Sequence, residues 1–367
     1  MAKNITEIPY RELVERTQVL ARTAENTFRK IRGVVQDVYS REVTTKFDWD
    51  FLWATSSIIT ESEYKTGTCA INTGDTSVDF TSATITASMT GRKIKIDGND
   101  VVYDFTYVDT NTGTLLPSFE GAANATGNGY TIFQPYYALA GDFDRFPKDG
   151  GLYKWEGGRK NRLPEEPYRD YTDDFLSTPG TPERCRLAHA NTIGQQLVEF
   201  IKPPADKRVY GYDYIRQLKP MHETTMGTID IAAQDTVVYG IGTRFTEATT
   251  GDWLRVDAFG TAQDSSWYRI IRINNDTQLT LATAFANSAV TSANYSICNA
   301  PEMPPKLHNA ILMGALRAIA LDQNDEAAGA YHMKLAEVMS DSKRLYVTRT
   351  YSQRFHMVAS DQYMYRR

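Results

Sequence analysis

The chain has 367 residues, of which 41% are hydrophobic, so it is long enough to bury the cores of two or three domains. Its formal net charge of −5 argues against a dedicated nucleic-acid-binding protein, because affinity for phosphate backbones comes mostly from clustered Lys and Arg. The three cysteines lie far apart without CxxC spacing, which favours neither a disulfide framework nor a zinc site. No apolar N-terminal segment and no run of about eighteen apolar residues is present, so we expect no membrane association and a chain made in the cytoplasm.

The N-terminal region is predicted to be helical. From Pro9 to Val43, apolar residues recur at three-, four- and seven-residue spacings, which places one apolar stripe along a helix. Gly33 is expected to break this helix in two. The charged opposite face is typical of a solvated or subunit-contacting surface. The aromatic run from Phe47 to Trp53 follows, and we expect its rings to anchor the helix on its neighbours.

One β-rich stretch occurs twice in the chain. Gly67 corresponds to Gly227 and Asp97 to Asp257 at a constant offset, and after a five-residue insertion in the second copy Tyr103 corresponds to Tyr268, Thr112 to Thr277 and Tyr130 to Tyr295. Both copies alternate apolar and polar residues in short runs between Asn-, Asp- and Gly-rich turns. This pattern predicts a small antiparallel sandwich or barrel in residues 62–137 and again in 226–299.

The remaining sequence is predicted to form a discontinuous domain. An extended loop is expected from Pro147 to Pro182, then a helix from Arg184 to Lys202 and a strand from Arg208 to Leu218. Two amphipathic helices, Leu307 to Asp322 and Ala327 to Tyr346, close the chain. The predicted fold class is therefore α+β: a discontinuous, mainly helical domain (1–61, 138–225 and 300–345) carries two inserted, homologous small antiparallel β-sandwich or barrel modules.

The C-terminal segment 346–367 mixes basic and aromatic residues, with Asp361 as its single acid after Asp341. Five aromatic side chains are costly to leave in water, so we interpret this segment as an arm that lies in a groove on a partner. A frayed terminus is the alternative. The candidate partner-binding residues are Tyr346, Arg349, Tyr351, Arg354, Phe355, Tyr363, Tyr365, Arg366 and Arg367.

Motifs for catalysis or cofactor binding were sought and are not found. None of the five histidines has a second histidine at metal-ligand spacing, and the nucleotide-binding and serine-hydrolase motifs are missing. The acidic turn Asp97–Asp100 is better explained as a hairpin turn than as a calcium loop. The carboxylate pairs Glu165–Glu166 and Asp173–Asp174 are interpreted as solvated loop charge. We therefore predict no catalytic residue, no metal site, no cofactor and no enzymatic activity.

Several segments together resemble one protein family. The run from Phe28 to Tyr39, followed by Phe47-Asp48-Trp49-Asp50-Phe51-Leu52, resembles the opening of the head-to-tail adaptor (connector or neck) proteins of tailed bacteriophages. The two copies resemble a small β module of phage virion proteins, and the closing helix pair fits the same family. Two β insertions depart from the minimal member of that family.

The resemblance implies a structural virion protein of the neck, assembled in the host cytoplasm. It implies a homo-oligomeric ring, commonly dodecameric, between the portal protein of the DNA-filled head and a tail tube, nozzle or fibre-attachment protein. The ring would leave a channel for genome ejection, with only non-specific proximity to double-stranded DNA. In the family the C-terminal arm docks onto the portal, and here that role would fall on residues 346–367.

Two other functions remain open at this point. A tail-fibre or baseplate protein would use its β modules to bind a host glycan, and Trp253 and Trp267 are the residue type that sugar stacking needs. The first copy has Lys93 where the second has Trp253, which favours packing for these rings. A glycan-active enzyme with accessory β modules would require a catalytic constellation that the sequence does not display.

Overall fold

Antiparallel β-sheets dominate the computed structural model, which describes residues 7–21, 28–121, 125–147, 151–156, 158–165, 178–257 and 266–347. Of these residues 37% are in strands and 24% in helices, so the predicted mainly helical domain is wrong. The chain divides into two compact units. One is Trp53–Gln217, and the other combines Met1–Leu52 with Leu218–Arg367.

The unit Trp53–Gln217 contains fifteen of the strands in the described residues. They are β1 Trp53–Ile59, β2 Thr68–Ile71, β3 Ser77–Thr81, β4 Lys93–Ile96, β5 Val102–Asp109, β6 Thr112–Leu116, β7 Ala125–Asn128, β8 Tyr130–Phe133, β9 Tyr136–Ala138, β10 Phe143–Arg145, β11 Gly151–Glu156, β12 Arg159–Arg162, β13 Arg184–Ala188, β14 Leu197–Ile201 and β15 Val209–Arg216. Strands β2 to β8 form one seven-stranded sheet, which we call the first module. The other strands form a five-stranded sheet around β15 and the three-stranded sheet β13-β14-β9.

The middle of the chain is where the helical prediction fails. Residues Arg184 to Lys202 form the hairpin β13–β14 instead of a helix, and the expected loop Pro147–Pro182 contains β11 and β12. In the hairpin, the Asn191 side-chain oxygen accepts the backbone N–H groups of Ile193 and Gln195, which closes a tight turn. The strand predicted from Arg208 to Leu218 is confirmed as β15.

Within the described residues, the second unit contains the remaining strands and four α-helices. The strands are β16 Glu223–Thr224, β17 Thr228–Ile231, β18 Val237–Ile241, β19 Trp253–Val256, β20 Tyr268–Asn275, β21 Gln278–Leu281, β22 Val290–Ala293 and β23 Tyr295–Cys298. They form one eight-stranded sheet, which we call the second module. The helices are α1 Tyr10–Leu20, α2 Phe28–Asp37, α3 Pro305–Asp322 and α4 Ala328–Tyr346.

The helices pack through the apolar stripes that the sequence displays. Helix α2 continues as a π-helical turn, Val38–Val43, and Gly33 lies inside α2, so the predicted break at Gly33 is wrong. Helix α3 contacts α1, α2 and α4. Gly314 allows α3 to approach the π-helical turn, because a Cβ at that position would lie 2.5 Å from a Val38 methyl group. The closing helix pair predicted from the sequence is confirmed as α3 and α4.

The two modules share one topology. The strand order β7-β2-β3-β6-β5-β4-β8 of the first corresponds strand by strand to β22-β17-β18-β21-β20-β19-β23 of the second. Tyr130 and Tyr295 occupy the same position in the two modules. The Tyr130 hydroxyl donates to the carbonyl of Thr66, two residues before β2, and the Tyr295 hydroxyl donates to the carbonyl of Met226, two residues before β17. The two modules therefore repeat in their hydrogen bonds as well as in their sequence.

The sequence alignment of the two copies is wrong by one residue at the second long hairpin. The Phe80 N–H donates to the Asn111 carbonyl, and its counterpart, the Gly240 N–H, donates to the Thr277 carbonyl. Asn111, not Thr112, therefore corresponds to Thr277. A register shift beside Ile270 in β20 accommodates the additional residue of the second copy.

We predict that Gly67 and Gly227 are required for folding of their modules. Their φ angles are +84° and +85°, and a Cβ would lie 2.3 Å and 2.5 Å from the carbonyl oxygens of Thr81 and Ile241. Gly67→Ala or Gly227→Ala should lower the free energy of unfolding by more than about 2 kcal/mol, because the backbone must move as well as adopt an unfavourable φ.

Gly98→Ala is the matched control for both substitutions. Gly98 has a φ of +82° but open space around the Cβ position, so only the conformational cost of about 1 kcal/mol applies. Urea unfolding of the three variants measures the difference, and equal losses in all three would contradict the steric argument.

Candidate partner-binding site

The predicted C-terminal arm begins at a fixed point in the structure. Tyr346 is the last residue of α4, and its ring makes an edge-to-face contact with Phe51 at 6.4 Å between centroids. One turn earlier, the Lys343 ammonium lies 4.9 Å from the centroid of the Phe47 ring. The arm therefore leaves from a helix end that is packed on the aromatic run. The other candidate residues, Arg349, Tyr351, Arg354, Phe355, Tyr363, Tyr365, Arg366 and Arg367, lie outside the described residues.

The aromatic run is held in place by its own packing. Trp49 is fully buried between Phe47, at 5.1 Å and edge-on, and Phe51, at 5.8 Å and stacked. The Trp49 indole N–H donates to the carbonyl of Val43, 2.8 Å away, which satisfies the polar end of the buried ring. The rings predicted to anchor the N-terminal helix therefore also contact the end of α4, after which the C-terminal segment begins.

A buried carboxylate connects the N-terminal helices to the second module. Only 3% of the Glu223 side chain is exposed, and its two oxygens accept hydrogen bonds from Arg11 of α1 and Arg32 of α2. The Arg11 contact is 2.7 Å long. A desolvated carboxylate needs such partners, since an unpaired buried charge costs several kcal/mol. Glu223 therefore holds α1 and α2 against strand β16 of the second module.

A second ion pair extends the same junction. The Arg255 guanidinium of β19 contacts both carboxylate oxygens of Glu15 in α1, at 2.5 Å and 2.8 Å. Burial alone would raise the pKa of Glu15, but the hydrogen bonds from Arg255 and Arg11 outweigh it, and the pKa lies below its usual range. We call the set Arg11, Glu15, Arg32, Glu223, Arg255 and Asp257 the helix–module junction.

The tryptophans of the second module belong to this packing and not to an open surface. Trp267 is buried, its indole N–H donates to Glu12 of α1 at 3.3 Å, and the Arg255 guanidinium lies 4.7 Å from its ring centroid. The Arg269 guanidinium lies 6.0 Å from the centroid of the half-buried Trp253 ring. Cations and a helix thus occupy ring faces that a stacked sugar would need.

A polar cleft lies beside the junction in the same unit. It has a volume of about 600 Å³, and Lys219, His222, Asp252, Arg269 and Glu302 are among its lining residues. His222 Nε2 lies 3.1 Å from an Asp252 carboxylate oxygen, and Asp252 also accepts bonds from the backbone N–H and hydroxyl of Thr249.

These bonds explain the charge state of Asp252. Burial by itself would raise the pKa of Asp252, but the hydrogen bonds from His222 and Thr249 lower it below the usual value. Three donors occupy most of the acceptor capacity of this carboxylate, and the Thr249 hydroxyl is one of them. The arrangement therefore fixes the Thr249 turn at the rim of the cleft.

The other sequence candidates for chemistry have structural roles where they are described. In the turn Asp97–Asp100, the Asn99 side chain donates to the Tyr103 hydroxyl and accepts the Val101 N–H, as expected for a hairpin turn. No group of three metal-ligating side chains comes together among the described residues. All three cysteines are buried, and burial raises the pKa of Cys69 to about 11 and that of Cys185 and Cys298 to about 12. Asp173 and Asp174 lie outside the described residues.

No local sequence pattern indicates the helix–module junction. Arg11 and Glu223 are separated by 212 positions, and the charged face of α1 is by itself typical of a solvated or subunit-contacting surface. The repeat offers a partial signal: Glu63 is the counterpart of Glu223 in the first module, but it pairs with the exposed Lys65 at 2.6 Å. The glutamate at this repeat position thus pairs with a residue two positions away in the first module, and with arginines of two helices distant in sequence in the second.

Comparisons with known proteins leave the family open. No family model matches the chain, and no curated protein matches it. Among solved structures it aligns with the apo form of translation elongation factor SelB from Methanococcus maripaludis, at a TM-score of 0.15 and 10% sequence identity over 75% of this chain and 67% of that one. Similarity at this level carries no structural or functional argument. No helix in the described part of the chain is long and apolar enough to span a membrane.

We predict that Glu223→Gln detaches α1 and α2 from the second module. The substitution removes one side of a buried charge pair and should lower the free energy of unfolding by roughly 3–5 kcal/mol. The matched control is Glu63→Gln at the same repeat position, where the loss should stay below about 1 kcal/mol because Lys65 is exposed. Hydrogen exchange of the α1 amides locates the effect, and unchanged α1 protection in Glu223→Gln would contradict it.

A second prediction concerns acid stability. Because Glu15 and Asp252 have lowered pKa values in the folded state, their stabilisation is fully present above the unfolded values of 4.5 and 3.8. It is lost as the pH falls through their lower folded values. The melting temperature should therefore drop steeply below about pH 4.5. Glu15→Gln should make this drop shallower, and superimposable pH profiles of the two proteins would refute the assignment.

Proposed function

We propose that this chain is a structural virion protein that forms a homo-oligomeric ring, joins the portal of the DNA-filled head to the tail, and leaves a channel for the genome. The observation that carries the proposal is the fixed origin of the C-terminal segment. Tyr346 and Lys343 pack on Phe51 and Phe47, so the basic, aromatic segment that follows starts from a rigid helix end. A segment of this composition suits docking in a groove of a neighbouring protein such as the portal.

Rigid coupling between the helices and the second module supports the same function. A neck component transmits load between head and tail, so its parts must not slide against each other. The Glu223 carboxylate and the Glu15–Arg255 pair tie α1 and α2 to the β-sheet of the module. Several desolvated charge pairs with fixed geometry resist sliding better than an apolar contact does, because each bond has a preferred direction.

Exposed apolar side chains on the helices are consistent with subunit contacts. Val19 and Leu20 at the end of α1, Leu321 near the end of α3 and Met333 on α4 are all exposed. The net charge of −5 per chain also suits a conduit, since an acidic ring does not grip the phosphate backbone that must slide through it.

The alternative function, glycan binding in a tail fibre or baseplate, receives less support. Trp267 is buried and Trp253 half-buried, with arginine side chains near both rings. The side chains that motivated that alternative are thus engaged inside the unit.

Cryo-electron microscopy of the source virus particles tests the proposal directly. The unique vertex would be reconstructed without capsid symmetry, and a ring of this chain between portal and tail is the expected result. Density for the chain at the distal end of the tail would favour the fibre or baseplate alternative. A chain that is missing from the particle would exclude both.

Truncation after Val347 should abolish the joining of heads to tails while leaving the fold intact, because every predicted docking residue except Tyr346 lies beyond α4. Thermal unfolding of the truncated protein should match that of the wild type, and binding to purified portal should be lost. A second variant with Tyr351, Phe355, Tyr363 and Tyr365 changed to Ser keeps every arginine and separates aromatic from charge contributions. Infectious particles completed by the truncated protein would overturn the docking role.

A further inference from the structure

The second module has an apolar stripe on its outer face. Along β18, Val238 points into the module core, and its neighbours Val237, Tyr239 and Ile241 alternate to the opposite side. Tyr239 is 53% exposed, Ile241 is 55% exposed and Val237 is half-buried. We call these three residues the β18 stripe. Strand β18 lies between β17 and β21 inside the sheet, so a partner would contact its side chains and not an unpaired strand edge.

The first module provides an internal control for this stripe. Its corresponding strand, β3, carries Ser77, Asp79 and Thr81 at the same three positions, and all three are exposed. Of the two inward positions of this strand, one is a buried valine in both modules, Val78 and Val238, and the other is Phe80 in the first module and Gly240 in the second. The scaffold therefore folds with polar residues at these positions, and the apolar stripe is not needed for stability of the module.

The surroundings of the stripe differ between the modules in the same way. Met226 is also exposed, at 51%, and its counterpart Thr66 is polar. Ile271, which is 52% exposed, is the additional residue of β20 and has no counterpart in the first module. The neighbour of Tyr239 on β17 is Asp230, where the first module has Ala70. Apolar side chains with an adjacent acid are thus specific to the second module.

We propose that the β18 stripe is a self-association surface that packs against the helical surface at the end of α1, around Val19 and Leu20, of a second copy of this chain. These two side chains are 75% and 51% exposed. Arg16, one turn before Leu20, pairs with Glu12 at 2.9 Å but keeps half of its side chain exposed, so in a second copy it can lie opposite the acid of Asp230, which in its own chain accepts the Ser292 N–H. The proposal rests on the homo-oligomeric ring of the proposed function and identifies the surfaces that build it.

The size of the stripe argues for a ring of copies and not for a one-to-one complex. Three partly exposed side chains offer apolar area on the order of 200–300 Å², whereas a stable binary interface needs about 800 Å² from each partner. A contact between two different surfaces of the same chain is heterologous, so it propagates from copy to copy and forms a ring when the rotation between copies closes. In a closed ring each copy has two such contacts, which compensates for the weakness of one.

The test replaces the stripe with polar residues, as Val237→Ser, Tyr239→Asn and Ile241→Thr together; asparagine is used at 239 because an aspartate there would face Asp230 across the strand pair. Because the first module folds with polar residues at these three positions, the variant should keep the wild-type melting temperature. Native mass spectrometry and sedimentation compare three full-length proteins, each alone and on purified portal. They are the wild type, this variant and a control that carries Val108→Thr together with Ile193→Thr. Val108 and Ile193 are exposed apolar residues outside the second module. We expect the stripe variant to need at least tenfold higher concentration to assemble, and the control to assemble as the wild type does.

Cysteine pairing identifies the opposing surface. All three native cysteines are buried, so each cysteine variant carries one exposed thiol. Ile241→Cys places it on the β18 stripe, and Leu20→Cys places it at the end of α1. Mixed under oxidising conditions, the two variants should form a disulfide-linked heterodimer, and Ile193→Cys in place of Leu20→Cys should not. A stripe variant that assembles like the wild type, a wild type that forms no oligomer in either setting, or cross-linking only to the control would each overturn the proposal.

The outcomes also separate this proposal from the proposed function. If the stripe variant still assembles and the chain lies between portal and tail, the function stands and the stripe has no role in the ring. If the chain is not found in the neck, the proposed function fails, whatever the stripe does in purified protein.

Discussion

The arrangement of the second unit depends on one desolvated carboxylate. Glu223 is almost fully buried, so its charge must be met by hydrogen-bonded cations, and Arg11 and Arg32 supply them from two different helices. Since neither helix can shift without exposing or orphaning that charge, the position of α1 and α2 on the module is set by electrostatics. The second module is therefore an integral part of its unit and not a decoration on a flexible tether.

The duplicated module shows how one scaffold accepts opposite charges. At the residue after the Thr-Gly turn, the first module buries Arg92, which lies 3.7 Å from Glu61. The second module buries Asp252 at the same place, 3.1 Å from His222. The sign of the buried charge is inverted: the guanidinium of the first module faces a carboxylate, and the carboxylate of the second lies within hydrogen-bond distance of His222 and accepts from Thr249. What the fold requires at this position is a polar partner for the buried charge, because a buried charge of either sign is costly alone.

Local features could be read from the sequence, whereas long-range ones could not. The repeat and the closing helices were visible because turn glycines, strand alternation and helical spacing are encoded over a few residues. A helix is predicted from Arg184 to Lys202 where the structure has the hairpin of β13 and β14, because a short apolar run such as Leu197 to Ile201 fits a buried strand as well as a helix. The partners of Glu223 come from α1 and α2, and one sequence without pairing information cannot indicate such contacts. The shift between Thr112 and Thr277 escaped detection because both residues are threonine in similar turns.

Divergence between the two modules is the best guide to function in this chain. Most positions that point inward are apolar in both modules, as Val78 and Val238 are, because both cores must be filled, although Gly240 stands where the first module has Phe80. Outward positions are free of that constraint, so a difference such as Asp79 against Tyr239 reflects what the surface meets and not how the module folds. Single exposed apolar side chains are common on folded proteins, whereas several that adjoin one another on one face indicate a contact surface. The inner halves of the modules therefore account for stability, and the outer halves are where partners have to be sought.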